Sequence, residues 1–476
     1  MIDIKTKIHD KFSIEFKVGF VTRRKAKKND FSVAMWIFVP DSLDITPATY
    51  SKQDFYRDVK TNIRLITPSF ILRDIVGGQA LPYNNVKNAA ITMASDPSRS
   101  HSTDFIYQAK MFAAIVKSSL RDECNYIIAA DNEDQAKLVS NYVQNLRGIV
   151  NAFKDLKMLI STPSVPSYAI EAYNMACDFL CTVSNQHSLK LLKSLKTKKS
   201  MDAQKQEIVD LVSEINDLRH ARGYSSTADV YKHGVLKKYV ESQLYLRVPK
   251  KRDGFLVEQA YYSLAAGLAM IFATVIAWAF QSYFGQFTWP LFLALIISYM
   301  MKDRIKDLMR YWFAHRISNN YYDNKAKISL NNKQIGKLKE AMDFIQRSKV
   351  PQEVLKIRKT GALIPSENVR LGEKVILYRK KVYIDRDKMM ENASYNYSGV
   401  NDIIRLHMNS FMHKMDNPQV SIDYLDENGK LKTALCPKDY YINIVLEYRY
   451  DSIVDYKHLI ITLNREGISS IEERNI

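Results

Sequence analysis

Residues 259–301 read QAYYSLAAGLAMIFATVIAWAFQSYFGQFTWPLFLALIISYMM and contain no Asp, Glu, Lys or Arg. One helix crosses a bilayer with roughly 20 apolar residues, so this stretch is too long for a single span and suits two helices joined by a turn. The turn is marked in the middle, at Ser282-Tyr-Phe-Gly-Gln-Phe-Thr-Trp-Pro290. Gly285 tolerates unusual backbone angles, Thr288 can cap the second helix, and Pro290 falls in its first turn, where a missing N–H costs nothing. The pattern predicts a transmembrane hairpin over 256–317, with spans at about 259–284 and 288–306, running on into a cytoplasmic helix extension.

Small residues give both helices a contact face. Ala265, Ala269, Ala273 and Ala277 recur every four positions, and Ala294 and Ser298 repeat that spacing in the second helix. In lipid, helices associate where small residues let backbones approach, so these six are the candidate helix-packing residues. The faces fit each other equally well within one chain or between chains. From Pro290 to Met301 the second helix is only about 18 Å long at ~1.5 Å per residue. It is expected to continue past Lys302, Arg304 and Lys306, whose long side chains reach headgroups. A hairpin buried inside a soluble protein is the alternative, and helices apolar all round argue against it.

Charge sets the orientation. Arg247, Lys250, Lys251 and Arg252 precede the first span, Lys302, Arg304 and Lys306 follow the apolar part of the second, and the turn carries none. The positive-inside rule then places both termini in the cytoplasm of a multi-pass protein of the inner or plasma membrane. The N-terminal residues contain no signal-peptide core, which agrees. These seven cations are the candidate contacts for anionic lipid.

The whole chain has 476 residues, with 69 basic against 51 acidic, a net charge of +18. That balance favours an anionic partner, the anionic inner leaflet ahead of nucleic acid. A protein partner or homo-oligomer is also expected. Four scattered cysteines fit a reducing compartment. Cys177 and Cys181 share a helix face, but without further ligands at metal-site spacing they read as core thiols. The nine histidines are dispersed, and there is no Walker loop, dinucleotide fingerprint or His-Glu-x-x-His. No catalytic, metal or cofactor residue is therefore nominated.

The fold class expected is an α+β membrane protein, with a mixed α/β region and helical bundle before the apolar stretch and an α+β domain with an antiparallel sheet after it. Residues 1–98 read as a small α+β domain starting with a β-hairpin over 11–39, whose tip, Arg23–Asp30, is basic. Ser51-Lys-Gln-Asp54 is a capping box, and Pro82–Ser102 reads as a polar connector. Residues 99–250 carry helical periodicity, with helices near 103–126, 132–158, 166–197, 201–221 and 227–246. In 318–476 the pattern predicts helices at Gln334–Gln346 and Val400–Met415, a strand at Lys374–Ile384 and a closing antiparallel meander. Three functions fit: a membrane-surface interaction, scaffold or sensing module; an oligomeric pore or membrane-disrupting effector gated by cytoplasmic domains; and a membrane-surface enzyme whose site is assembled from distant residues.

Overall fold

The computed structural model describes residues 2–23, 26, 28–77, 81–196, 201–220, 230–285, 288–318, 322–359, 372–427, 429–450 and 453–474. The chain is a mixed α+β protein with antiparallel sheets. It divides into two compact units, each drawn from separate stretches: Met1–Asn62, Arg247–Asn392 and Asp402–Ile476 in one, Ile63–Leu246 and Ala393–Asn401 in the other.

The first unit is built on β3 (Lys28–Pro40), which carries FSVAMWIFV in its middle. Phe31, Val33, Met35, Trp36, Ile37, Phe38 and Val39 are all buried. A strand apolar on both faces needs cover on both faces, and its free edges need partners. It pairs antiparallel on one side with β8 (Glu373–Asp385), from Lys28 opposite Asp385 to Pro40 opposite Glu373. On the other side it pairs with β12 (Tyr440–Tyr450), Phe31 facing Tyr450. The complete eight-stranded sheet runs β14-β13-β12-β3-β8-β7-β6-β5. Its remaining strands are β5 (Lys250–Arg252), β6 (Asn324–Leu330), β7 (Lys333–Ile345), β13 (Ile453–Asn464) and β14 (Gly467–Arg474). The helix α10 (Gln352–Lys359) packs on one face, where Val354 and Ile357 join Trp36, Phe38, Leu377 and Val445.

Two further sheets complete the strands. One has the order β1-β2-β9-β4, from β1 (Ile2–Asp10), β2 (Ser13–Val21), β4 (Val59–Leu65) and β9 (Gly399–His407). The other is the two-stranded pair β10 (Gln419–Leu425) and β11 (Leu431–Pro437). The capping box forms at the start of α1 (Lys52–Asp58): Ser51 Oγ accepts from Asp54 N, and Asp54 accepts from Ser51 N at 3.0 Å.

The second unit is helical, with α2 (Leu81–Ser95), α3 (Arg99–Ala129), α4 (Asn132–Ile160), α5 (Ser167–Leu195), α6 (Asp202–His220) and α7 (Val230–Glu241). Its core includes a stack of Phe112, Phe153 and Tyr173, with ring centroids 5.1 and 5.2 Å apart. Cys177 and Cys181 are buried in it. The buried Glu241 carboxylate takes Arg64 at 2.9 Å and Lys117 at 2.5 Å. Burial alone would push its pKa up; the two cations reverse this and hold it below the ordinary glutamate value.

Several expectations need correction. The opening hairpin is β1 with β2, not β2 with Phe31–Val39. β1 is a polar edge strand whose charged side chains mask its period, and β3 is drawn to partners distant in sequence. Pro82–Ser102 is no connector: α2 lies there, burying Val86, Ala89, Ala90 and Met93, a stripe that its alanines conceal. Gln334–Gln346 is strand β7, because β6 and β8 pair both its edges despite Lys, Glu and Ala favouring helix. Val400–Met415 is strand β9 as far as His407, and only Asn409–Met412 is helical. Val400 through Ile404 is buried residue by residue, which erases the alternation that marks a strand. The closing meander β12-β13-β14 forms, as part of a larger sheet. Parts of the expected turns, at 24–25, 78, 223, 286–287 and 428, lie outside the described residues.

Lys380 of β8 and Asp402 of β9 form an ion pair of 2.6 Å with both side chains fully buried. Burial pushes the Asp402 carboxyl above its ordinary range, and Lys380 opposes the shift. Removing one partner of such a pair leaves a buried charge uncompensated. We expect Lys380→Met to destabilise the protein by about 3–5 kcal/mol, read from the unfolding midpoint in urea, and Lys380→Met/Asp402→Leu to recover most of that loss.

Candidate functional site

The long apolar element grows directly out of the sheet. Strand β5 leads through Asp253 and Gly254 into α8 (Phe255–Phe284), and α9 (Trp289–Ser318) leads back towards β6. Gly254 has φ 73°, a left-handed conformation that glycine adopts without strain. The Asp253 carboxylate accepts from Gly254 N at 3.0 Å and pairs with Lys325 at 3.0 Å and Lys339 at 3.4 Å, on strands β6 and β7. Burial would raise its pKa, but Lys325, Lys339 and the Gly254 N–H together hold it below the usual aspartate value. Three residues earlier, Lys250 Nζ reaches the fully buried Glu340 at 2.6 Å. Glu340 also accepts from Tyr378 OH at 2.9 Å and Asn324 Nδ2 at 3.2 Å. Asp323, beside the root, accepts from Lys52 Nζ, Tyr56 OH and Met342 N at 2.7 to 2.9 Å. Charge-assisted bonds therefore fix the start of α8 to the sheet.

Beyond this root the surface changes character. Among the described residues, one helix, Glu258–Phe284, is long and apolar enough to cross a membrane, and only 11% of its most apolar window is buried. Leu268, Met270, Ile271, Val275 and Trp278 of α8 are between 40% and 72% exposed. Exposed apolar patches on soluble proteins rarely exceed a few hundred Å². α9 does not meet the same standard. Its uncharged part, Trp289–Met301, is about 20 Å long at ~1.5 Å per residue, and the rest carries Lys302, Asp303, Arg304, Lys306, Asp307 and Arg310. The expectation of two apolar spans is thus met by composition in α8 only.

The two helices nonetheless pack together. Ala265, Ala269, Ala294 and Ser298 are buried, Ala273 and Ala277 are half-buried, and Ser298 Oγ donates to Ala273 O at 3.2 Å. The six small residues therefore come together between α8 and α9 of one chain. At the turn end of the pair, a mostly apolar groove of about 530 Å³ is lined by Ala277, Gln281, Thr288, Trp289, Phe292 and Leu295 among others. Gly285 closes α8 with φ 73°.

The seven nominated cations fall into different settings. Lys250 is tied to Glu340, Arg252 to Glu258 at 2.9 Å and Lys306 to Asp303 at 3.0 Å. Arg247 bridges by its backbone to Ser329. Lys302 sets its ammonium 3.9 Å from the Tyr299 ring centroid. Lys251 and Arg304 are exposed. Sequence reasoning missed Asp253 and Glu340. The Asp-Gly pair just ahead of the apolar run was a usable signal for the first. Glu340 had none, since it alternates with lysines in a segment of helical composition.

The helical unit holds a second concavity, a polar cleft of about 390 Å³ between α2 and α3, lined by Asn85, Asn88, Thr92, His101, Asp104 and Gln108 among others. Amides and hydroxyls dominate it, and His101 is engaged by Asp96 at 3.2 Å. Among the described residues no group of three or more His, Cys, Asp or Glu is arranged to hold a metal ion. Comparison with protein-family models, with curated proteins and with solved structures finds no match to this chain.

The buried alanines are spaced for close contact. A larger side chain at Ala269, 1% exposed, would force α8 and α9 apart. Overpacking of this kind costs about 1–3 kcal/mol. We expect Ala269→Leu to lower the thermal unfolding midpoint, while the same change at the exposed Ala279 leaves it unaltered.

Proposed function

We propose that this is an integral membrane protein, anchored through α8 with α9 alongside it, whose water-exposed units act as an interaction, scaffold or sensing module at the membrane surface. The observation that carries the reading is a helix whose large apolar side chains face outward over most of its length, joined to a sheet by ion pairs on the buried carboxylates of Asp253 and Glu340. An apolar helix surface left in water is unfavourable by about 25 cal/mol per Å², and lipid removes that cost. Basic residues at both ends of the apolar pair support a hairpin with both termini in the cytoplasm. Lys251 and Arg304, exposed at those ends, are suited to anionic headgroups, and the net charge of +18 favours the same surface.

The rigid root bears on the role. Asp253, Lys250 and Glu258 are each ion-paired within a few residues of the start of α8, so a tilt of the helix is transmitted to β5, β6 and β7 rather than absorbed by a loose linker. That arrangement suits a module that reports on, or is positioned by, the membrane. A standing aqueous pore fits less well, because α8 presents no charged side chain from Gln259 to Phe284.

The reading separates cleanly from a soluble one. Leu268, Ile271 and Val275 are exposed, so lysine at these positions leaves the helix contact untouched and is harmless in water. In a spanning helix each lysine costs about 2.5–3.5 kcal/mol near the centre. The full-length chain is expected to stay with membranes after alkaline carbonate washing, and the triple lysine variant to be released. A wild-type chain that washes into the supernatant contradicts membrane insertion.

A further inference from the structure

The pair β10 and β11 stands apart from both larger sheets. Seven residue pairs join the two strands, from Gln419 opposite Pro437 to Leu425 opposite Leu431. Lys438 N closes the base onto Pro418 O at 2.8 Å, Thr433 Oγ1 donates to Asp423 at 2.7 Å, and Lys432 pairs with Asp426 at 3.0 Å near the tip. Every residue of β10 is exposed, and so are five of the seven in β11. Val420, Ile422, Tyr424, Leu425, Leu431 and Leu435 are each 43–73% exposed. A two-stranded ribbon is marginal in water and needs a third strand or a covering face.

We propose that β10 pairs antiparallel with β10 of a second copy of this chain across a twofold axis at Ile422, making a four-stranded sheet in the order β11-β10-β10-β11. The inference does not depend on whether α8 lies in lipid. β10 has β11 on one edge and, among the described residues, no strand on the other. Of the two strands, β11 is the guarded one: Lys432 lies in it and Lys430 just before it, and lysine on an edge discourages pairing. β10 has no lysine and is rich in the residue types that favour strands.

The occupant is named by the sequence of the strand itself. Gln419-Val-Ser-Ile-Asp-Tyr-Leu425 is self-complementary about its centre. With Ile422 facing its twin, Val420 meets the second copy's Tyr424, an aliphatic–aromatic pair of the kind that stabilises antiparallel sheets. Ser421 meets Asp423 of the second copy, a hydroxyl donor opposite a carboxylate. Gln419 meets Leu425, and no two like charges oppose each other. One-residue slips break this match, putting Ile422 opposite Asp423 or Ser421. The contact is isologous and therefore closes as a dimer.

Cross-linking decides the matter in the full-length chain, with Cys436→Ser removing the one cysteine on the arm. Residues directly opposed in an antiparallel pair have Cα atoms about 4.5–5.5 Å apart, which a disulfide spans. Under mild oxidation, Ile422→Cys should convert most of the chain to a disulfide-linked dimer. Thr433→Cys, on the outer strand, should give at least tenfold less. Ser421→Pro, which removes a donor from the free edge because the hairpin register turns the even-numbered positions of β10 towards β11, should halve the particle mass without changing the circular dichroism of the rest. Equal cross-linking at both cysteines, or a wild-type particle with the mass of one chain at micromolar concentration, overturns the proposal.

Discussion

A helix with no charged side chain from Gln259 to Phe284 must be shielded from water, and the rest of this molecule is arranged around that requirement. The small residues of α8 are used up in the contact with α9, which leaves its larger apolar side chains facing out. Among the described residues, nothing else in the first unit covers them. What the protein invests its polar chemistry in is the junction: Asp253, Glu340 and Asp323 take nine bonds or ion pairs from the residues around the root of α8. Those carboxylates are buried or partly buried, where charge-assisted bonds are strong and costly to leave unmade. The exit direction of α8 is accordingly fixed by the sheet.

That sheet depends in turn on β3. Its thirteen residues are matched along the full length by β8, and over eight positions by β12. The unit closes only when strands from the start, the middle and the end of the sequence have come together. Contacts so far apart in sequence are slow to form. The helices α8 and α9 are inserted between β5 and β6, two neighbouring strands of the same sheet, so the apolar pair is an excursion from one sheet edge. An element placed there can be drawn into lipid without breaking the pairing of β3.

How legible this was in the sequence follows from the periods involved. Among the bundle helices, α6 was readable because it buries one stripe, Ile208, Leu211 and Ile215. The apolar stretch was readable for the opposite reason, the absence of any polar stripe. β8, β10, β11 and β12 carried alternation or an Asn-Gly turn. Two of the failures share one cause. β7 and β9 are interior strands whose partners supply what their own composition lacks, with Glu340 in β7 and Asp402 in β9 buried where the pattern asks for apolar residues. A buried ion pair is invisible to any rule that equates burial with hydrophobicity. The anchoring site was missed on the same ground, since Glu340 looks like a surface residue until Lys250 and Tyr378 are seen to converge on it.

The most direct test of the membrane role is the depth profile of α8. Single nitroxide labels at positions such as Leu268, Ile271, Val275 and Trp278, in the full-length chain reconstituted into nanodiscs, report collision with oxygen, which concentrates in lipid, and with a water-soluble nickel chelate. A spanning α8 gives oxygen access that peaks near Ile271 to Val275, with the chelate excluded from all four sites. Chelate access at those positions comparable to that at the exposed Lys251 would contradict the account and return α8 to water.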